Sequence, residues 1–375
     1  MKNLRSILFA TDFRPASRAV VGVAYRLASS FGSHVTLLHV LEPPPLARPA
    51  LLQLNREHAA EQLRELAGQL TSQRVVLDET AIAVGHPVDV ITRKADEIGA
   101  EMILIGAGER NQLDHFALGP NAGAIMQHTT KPVLAVRPGE PAAQFRRILC
   151  PVDMSPASTR GLLNAIRLTR TFGGHLLILT VVPSPNWFEL VVEAKSMAEA
   201  KAEHDRDWRA SFNQFLLTAP LGDVSWAKET RTGTPPQEII AAAATHQSDL
   251  IVMGSTGRTG LARVLMGSVT RRVIQQLPCS LLTVKPDEVT DETFTSDMNT
   301  IRILYAEGRE LLGAKSYDAA LARFNQVLAH DPYHALALKG RADAFEQLGH
   351  KQDAERSRRR ASVIDEGEYE LGGGD

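Results

Sequence analysis

Cysteine is almost missing from this chain. Two thiols, Cys150 and Cys279, occur in 375 residues, both within apolar, strand-like runs. That excludes a disulfide framework and points to two buried, reduced thiols. Charge of one sign is missing as well. Lys and Arg total 41 against 43 Asp and Glu, a formal net charge of −2. Nothing in that balance attracts nucleic acid or an anionic membrane. No apolar run reaches the roughly 18 residues of a spanning helix. The stretch Met1 to Asp12 lacks the apolar core and cleavage site of a signal peptide, so a cytoplasmic location is expected. The twelve histidines are scattered, without His-Glu-x-x-His or Cys-x-x-Cys, and no metal site is expected. Gly-x-Ser-x-Gly, the P-loop pattern and Gly-x-Gly-x-x-Gly are all absent, and no catalytic residue is assigned.

What is present is an ordinary globular composition, 44% hydrophobic and 22% charged. The length predicts two or three domains. Most of the chain is one unit written twice. Arg5-Ser6-Ile7-Leu8-Phe9-Ala10-Thr11-Asp12 aligns with Arg146-Arg147-Ile148-Leu149-Cys150-Pro151-Val152-Asp153. Phe31-Gly32-Ser33-His34 aligns with Phe172-Gly173-Gly174-His175, and Val133 to Pro138 with Leu281 to Pro286. In each repeat, short apolar runs alternate with helical patterns. The first gives strands at Ser6–Thr11, His34–Val40, Val75–Ala83, Met102–Ile105 and Val133–Arg137. The second gives Arg147–Val152, His175–Val181, Val224–Arg231, Leu250–Met253 and Leu281–Lys285. This order predicts an α/β fold of two doubly wound parallel sheets. The domains are read as 1–138, 146–286 and 300–365. The first junction is Pro138 to Ala143; the second, the acidic Pro286 to Asn299, is read as a flexible linker. The last strands Val133–Val136 and Leu281–Val284 are apolar edges, and they are expected to pair with each other within the chain.

The most informative stretch runs from Ile251 to Ile274. An apolar strand leads into Gly254, and Gly257 and Gly267-Ser268 follow before helical spacing resumes at Val269. Glycines let backbone N–H groups approach a phosphate, and Ser268 stands where a helix N-cap is expected. The spacing Gly-x2-Gly-x9-Gly-Ser resembles the ATP-binding motif of universal stress proteins. The resemblance implies the adenine nucleotide α-hydrolase-like fold and ATP, alone or with Mg²⁺, as cofactor. It makes Pro151, Val152, Asp153, Met154 and Ser155 the purine and ribose region, and Val181 an adenine contact. Met253, Gly254, Gly257, Arg258, Gly267, Ser268, Val269 and Thr270 become the ribose and triphosphate clamp. Asp153 would lie at the same sheet edge as that loop, where ligands of open parallel sheets bind. The alternative role for Asp153 is a helix cap, and for Arg258 a solvated loop arginine.

The first repeat departs from the motif. It keeps Asp12, Gly106 and Gly119, but Glu109 replaces Gly257 and Pro120 replaces Ser268. Proline has no N–H to offer, and a carboxylate repels polyphosphate. A weak or empty first site is expected.

From Ile301 the pattern is purely helical. Gly308, Tyr317, Ala320, Phe324, Leu328 and Pro332 fall at tetratricopeptide-repeat positions, and Ala342, Gly349 and Ala354 begin a degraded second repeat. The segment resembles that repeat, which implies four helices that bind a protein partner or a second copy of the chain. Tyr317, Phe324, Leu328 and Leu336 are the expected core. Arg356, Arg358, Arg359 and Arg360 read as a charged helix end. The expected function couples ATP binding to protein–protein contact in a stress response, without nucleic acid or membrane. A slow or autophosphorylating ATPase, and a scaffold with structural nucleotide, are the alternatives.

Overall fold

The computed structural model describes residues 4–43, 49–108, 118–138, 144–183, 197–256, 266–285, 292–330 and 334–366. Gly257, Arg258 and Glu109 lie outside them. The chain divides into two compact units, Met1–Ser184 with Glu229–Glu288, and Pro185–Lys228 with Val289–Asp375.

The first repeat runs β1 (Ser6–Thr11), α1 (Pro15–Phe31), β2 (His34–Leu41), α2 (Pro49–Ser72), β3 (Val76–Val84), α3 (Pro87–Glu97), β4 (Met102–Gly106), α4 (Pro120–His128) and β5 (Val133–Val136). The second runs β6 (Arg147–Pro151), α5 (Pro156–Phe172), β7 (His175–Val182), α6 (Met197–Leu216), β8 (Ser225–Thr232), α7 (Pro235–Thr245), β9 (Leu250–Gly254), α8 (Ser268–Ile274) and β10 (Ser280–Val284). Proline in the first turn starts α1 and α5, where its missing N–H costs nothing. Both stop at a glycine in the left-handed region, Gly32 at φ 67° and Gly173 at φ 61°. The central strands β5, β9 and β10 are buried at every residue, which is why their sequences are apolar without alternation.

The ten strands among the described residues form one sheet in the order β3-β2-β1-β4-β5-β10-β9-β6-β7-β8. The registered pairs within each repeat are parallel. Between the repeats, β10 runs antiparallel to β5, with Leu281 opposite Ala135, Leu282 opposite Leu134 and Thr283 opposite Val133. The expected edge pairing is therefore present. Equivalent residues meet across it: Phe31 and Phe172 touch edge to face at 6.3 Å and 84°. That is the mark of a local two-fold relation, in which a surface is its own complement.

Four helices follow: α9 (Glu292–Gly313), α10 (Tyr317–His330), α11 (Ala335–Gln347) and α12 (Lys351–Glu366). The first begins inside the stretch read as linker, which corrects that reading. The core is Ala320, Phe324, Val327 and Ala337, with Leu304, Tyr305, Leu311, Leu312 and Leu328 packed against it. Phe324 was expected there. Val327 is fully buried while Leu328 is only partly so, because 320, 324 and 327 share one helical stripe. Tyr317 and Leu336 are half-buried. A Cβ at Gly308 would meet the Phe324 ring at 2.8 Å, and one at Gly340 at 2.5 Å. The ring thus lies between two helices whose backbones come close only because both positions are glycine. Of the arginine run, Arg358 is engaged by Glu346 and lies 3.6 Å from Asp343.

His334 caps α11. Its Nδ1 accepts the Ala337 N–H at 3.1 Å, and the residue is buried. Burial pushes its pKa down to about 4 from an ordinary 6.5. Between those values the unfolded chain binds more protons than the folded one, so stability is whole above pH 6.5 and is lost as pH falls toward 4. The full loss is on the order of 3 kcal/mol. In urea titrations followed by circular dichroism, the helical transition should move to lower urea at pH 5 than at pH 7.5. His334→Asn keeps a cap acceptor that does not titrate, so it should remove most of that difference. An equal shift in both proteins would assign the pH effect elsewhere.

Candidate functional site

In the second repeat the strands stand in the order β8-β7-β6-β9-β10. Connections run one way from β6 to β7 and β8, and the other way to β9 and β10. The carboxyl ends of β6 and β9 therefore flank a topological switch point, the crevice where open α/β sheets take ligands.

On one side is the turn after β6. The Asp153 carboxylate accepts the Ser155 N–H at 3.1 Å through Oδ1, and the Asp153 N–H donates to Ser158 Oγ at 3.3 Å. Met154, between them, has φ 63°. A left-handed non-glycine residue costs about 1–2 kcal/mol, and strain of this kind collects at functional turns. Ser155 then caps α5, accepting the Ser158 N–H at 3.2 Å. Asp153 therefore holds the turn, and Ser155 is the cap. Pro151, Val152 and Val181 are buried behind this turn. The sequence reading missed Thr180, whose hydroxyl donates to the Val152 carbonyl at 3.1 Å and fixes the end of β7 against β6.

On the other side is the end of β9. A Cβ at Gly254 would meet the Ala157 carbonyl carbon and oxygen at 2.6 Å. Gly254 thus lets the first turn of α5 rest directly on the strand. Met253 before it is buried. Ser255 donates its N–H to the Val284 carbonyl at 2.9 Å, and its own carbonyl accepts the Gly267 N–H at 2.6 Å. Those two bonds fix Ser255 between the end of β10 and the start of α8; the expected clamp residues Gly257 and Arg258 lie outside the described residues. Ser255 is fully buried, and its hydroxyl has no partner among the described residues.

Gly267, not Ser268, is the N-cap of α8, at φ −73° and ψ 160°. Ser268 is the first helical residue, so it presents its backbone N–H rather than a capping hydroxyl. Sequence reasoning placed the cap one residue late because serine is the better capping side chain. The first intrahelical bond runs from the Arg271 N–H to the Gly267 carbonyl at 3.1 Å. The N–H groups of Ser268, Val269 and Thr270 precede it. The Thr270 hydroxyl donates to the Gly254 carbonyl at 3.1 Å, which ties the helix start to the strand end.

The first repeat keeps the frame and changes the lining. Asp12 Oδ1 accepts the Arg14 N–H at 3.1 Å, Phe13 has φ 62°, and a Cβ at Gly106 would meet Ala16 and Ser17 backbone at 2.7 Å. His39 replaces Thr180, and its Nδ1 is 2.8 Å from the Thr11 carbonyl. A carbonyl only accepts, so Nδ1 carries the proton; burial lowers the ring's pKa and favours the neutral form. Phe13 lies against this ring at 4.4 Å. Pro120 occupies the first helical position of α4, where α8 has Ser268. Among the described residues, no group of three His, Cys, Asp or Glu side chains could hold a metal ion.

The universal stress protein family matches residues 3–137 and again 144–285. A universal stress protein of Mycolicibacterium smegmatis is 26% identical over 304 residues, covering 75% of this chain and 97% of that protein. A shorter one from Methanocaldococcus jannaschii is 32% identical over 143 residues, covering 38% of this chain and 82% of its own length. The crystal structure of a universal stress protein from Archaeoglobus fulgidus superposes with a TM-score of 0.56 at 19% identity, covering 75% of this chain and 98% of that one. That likeness supports the fold alone.

Gly254 and Gly106 do the same packing work in both repeats. Gly254→Ala and Gly106→Ala should therefore each destabilise the sheet by about 1–3 kcal/mol, measured by urea denaturation without any ligand. A loss confined to Gly254→Ala would mean that the first-repeat contact is not a packing constraint.

Proposed function

The chain belongs to the universal stress protein family, with two copies of its domain in tandem, and from that premise we propose that the second copy binds ATP while the first does not. The observation that carries this is the contrast at one helix position. Ser268 opens α8 with an N–H, whereas Pro120 opens α4 without one. In this reading the N–H groups of Ser268, Val269 and Thr270 meet the phosphates. Thr270 takes part through its backbone, its hydroxyl being donated to Gly254. Gly257 and Arg258, outside the described residues, are the further clamp residues of this reading, with Arg258 pairing to a phosphate oxygen. Pro151, Val152, Asp153, Met154 and Ser155 line the purine and ribose side, and Val181 backs the adenine. Mg²⁺, if it accompanies ATP, would take phosphate oxygens and a carboxylate oxygen of Asp153.

The role that follows is binding rather than turnover. Asp153 is held in its turn by the Ser155 N–H, which suits a fixed recognition group better than a mobile base. The helices beyond residue 292 are read as a tetratricopeptide-like module. Through it the nucleotide state would reach a protein partner or a second copy of the chain. The domain limits that accompany this reading are 1–138, 146–286 and 300–365, the last extended by the start of α9.

Isothermal titration should give one ATP per chain. Gly267→Val and Asp153→Ala should each weaken binding tenfold or more, and deletion of residues 292–375 should leave the affinity unchanged. Two equal sites, or full affinity in Gly267→Val, would contradict the assignment.

A further inference from the structure

Lys285 is a buried cation that the binding site does not use. It is only 3% exposed. It follows β10, yet its ammonium reaches into the other repeat and donates to the Met126 carbonyl at 2.7 Å. Met126 lies in the last turn of α4, where unpaired carbonyls and the helix dipole favour a positive charge. Burial pushes the amine down to about 8, so the contact is held against a desolvation cost.

The equivalent residue of the first repeat does the same in reverse. Arg137 follows β5, and its guanidinium donates to the Pro278 carbonyl, in the segment between α8 and β10. Its backbone N–H donates to Ser280 Oγ at 3.2 Å. Each repeat thus sends a cation across the β5–β10 pairing to hold the other's last helix or the turn behind it.

The two exchanges differ in what lies behind them. One residue before Lys285, the Val284 carbonyl accepts the Ser255 N–H at 2.9 Å, and the Ser255 carbonyl accepts the Gly267 N–H at 2.6 Å. The end of β10 is therefore two hydrogen bonds, through Ser255 alone, from the N-cap of α8. We infer that Lys285 is a positioning residue: by anchoring the end of β10 to α4 of the first repeat, it sets the Ser255–Gly267 closure and the N–H groups of Ser268 to Thr270. The first repeat, with its own motif broken, then serves as the brace of the start of α8 in the second. This rests on the reading of those N–H groups as part of the ATP clamp.

The test uses the full chain and two readouts, ATP affinity by titration and amide hydrogen exchange at residues 266–270 without ligand. Lys285→Met should weaken ATP binding about tenfold and speed exchange at those amides. Lys285→Arg, which keeps a charged donor, should bind within about threefold of the parent. Arg137→Met, at the opposite end of the same pairing, should also speed exchange there and keeps the test open if Lys285→Met does not fold. Parent-like affinity and exchange in Lys285→Met, or no rescue by Lys285→Arg, would overturn the inference. If the parent chain itself binds no ATP, the reading of the loop fails, while the exchange readout still decides whether Lys285 positions it.

Discussion

The antiparallel pairing of β5 with β10 is the constraint from which the rest of the ten-stranded sheet follows. Each repeat alone would end in a strand with an open hydrogen-bonding edge and an apolar face. Pairing the two edges removes both liabilities at once. It also fixes direction. The registered strand pairs within each repeat run parallel, and the two sets run opposite ways across the seam. Their carboxyl ends therefore lie on opposite edges of the sheet, so the two switch points cannot share a ligand. Any communication between the repeats must pass through the seam, where Lys285 and Arg137 reach across.

Duplication followed by divergence is legible in which contacts were kept. The turn after the first strand, the glycine beneath the first helix and the side chain tying the second strand to the first occur in both repeats. Asp12 answers Asp153, Gly106 answers Gly254, and His39 answers Thr180. These are packing and backbone requirements, which any copy of the fold must satisfy. The differences gather at the last helix start and at the residues that would face a base. Pro120 for Ser268 and Phe13 for Met154 change what a ligand would meet without disturbing the frame.

Much of this was readable from the residues. The apolar runs without alternation gave the parallel strands, and two unguarded last strands gave the seam. Three things were not readable, each for a physical reason. Ser268 looked like the cap of α8 because side-chain preference is local, whereas Gly267 takes that place through its long-range bond to Ser255. The acidic stretch after Pro286 lacked periodicity, the signal by which a helix is read, yet α9 begins at Glu292. Lys285 and Arg137 were read as the last residues of their strands, and only the folded chain shows them beyond the strand ends and the carbonyls they reach.

The most direct test of the central claim is a crystal structure of the full chain grown with ATP and Mg²⁺. The account predicts triphosphate density against the N–H groups of Ser268 to Thr270, adenine between Asp153 and Val181, and nothing nucleotide-shaped at the carboxyl end of β1 and β4. A nucleotide in the first repeat, or phosphates placed away from the start of α8, would contradict it.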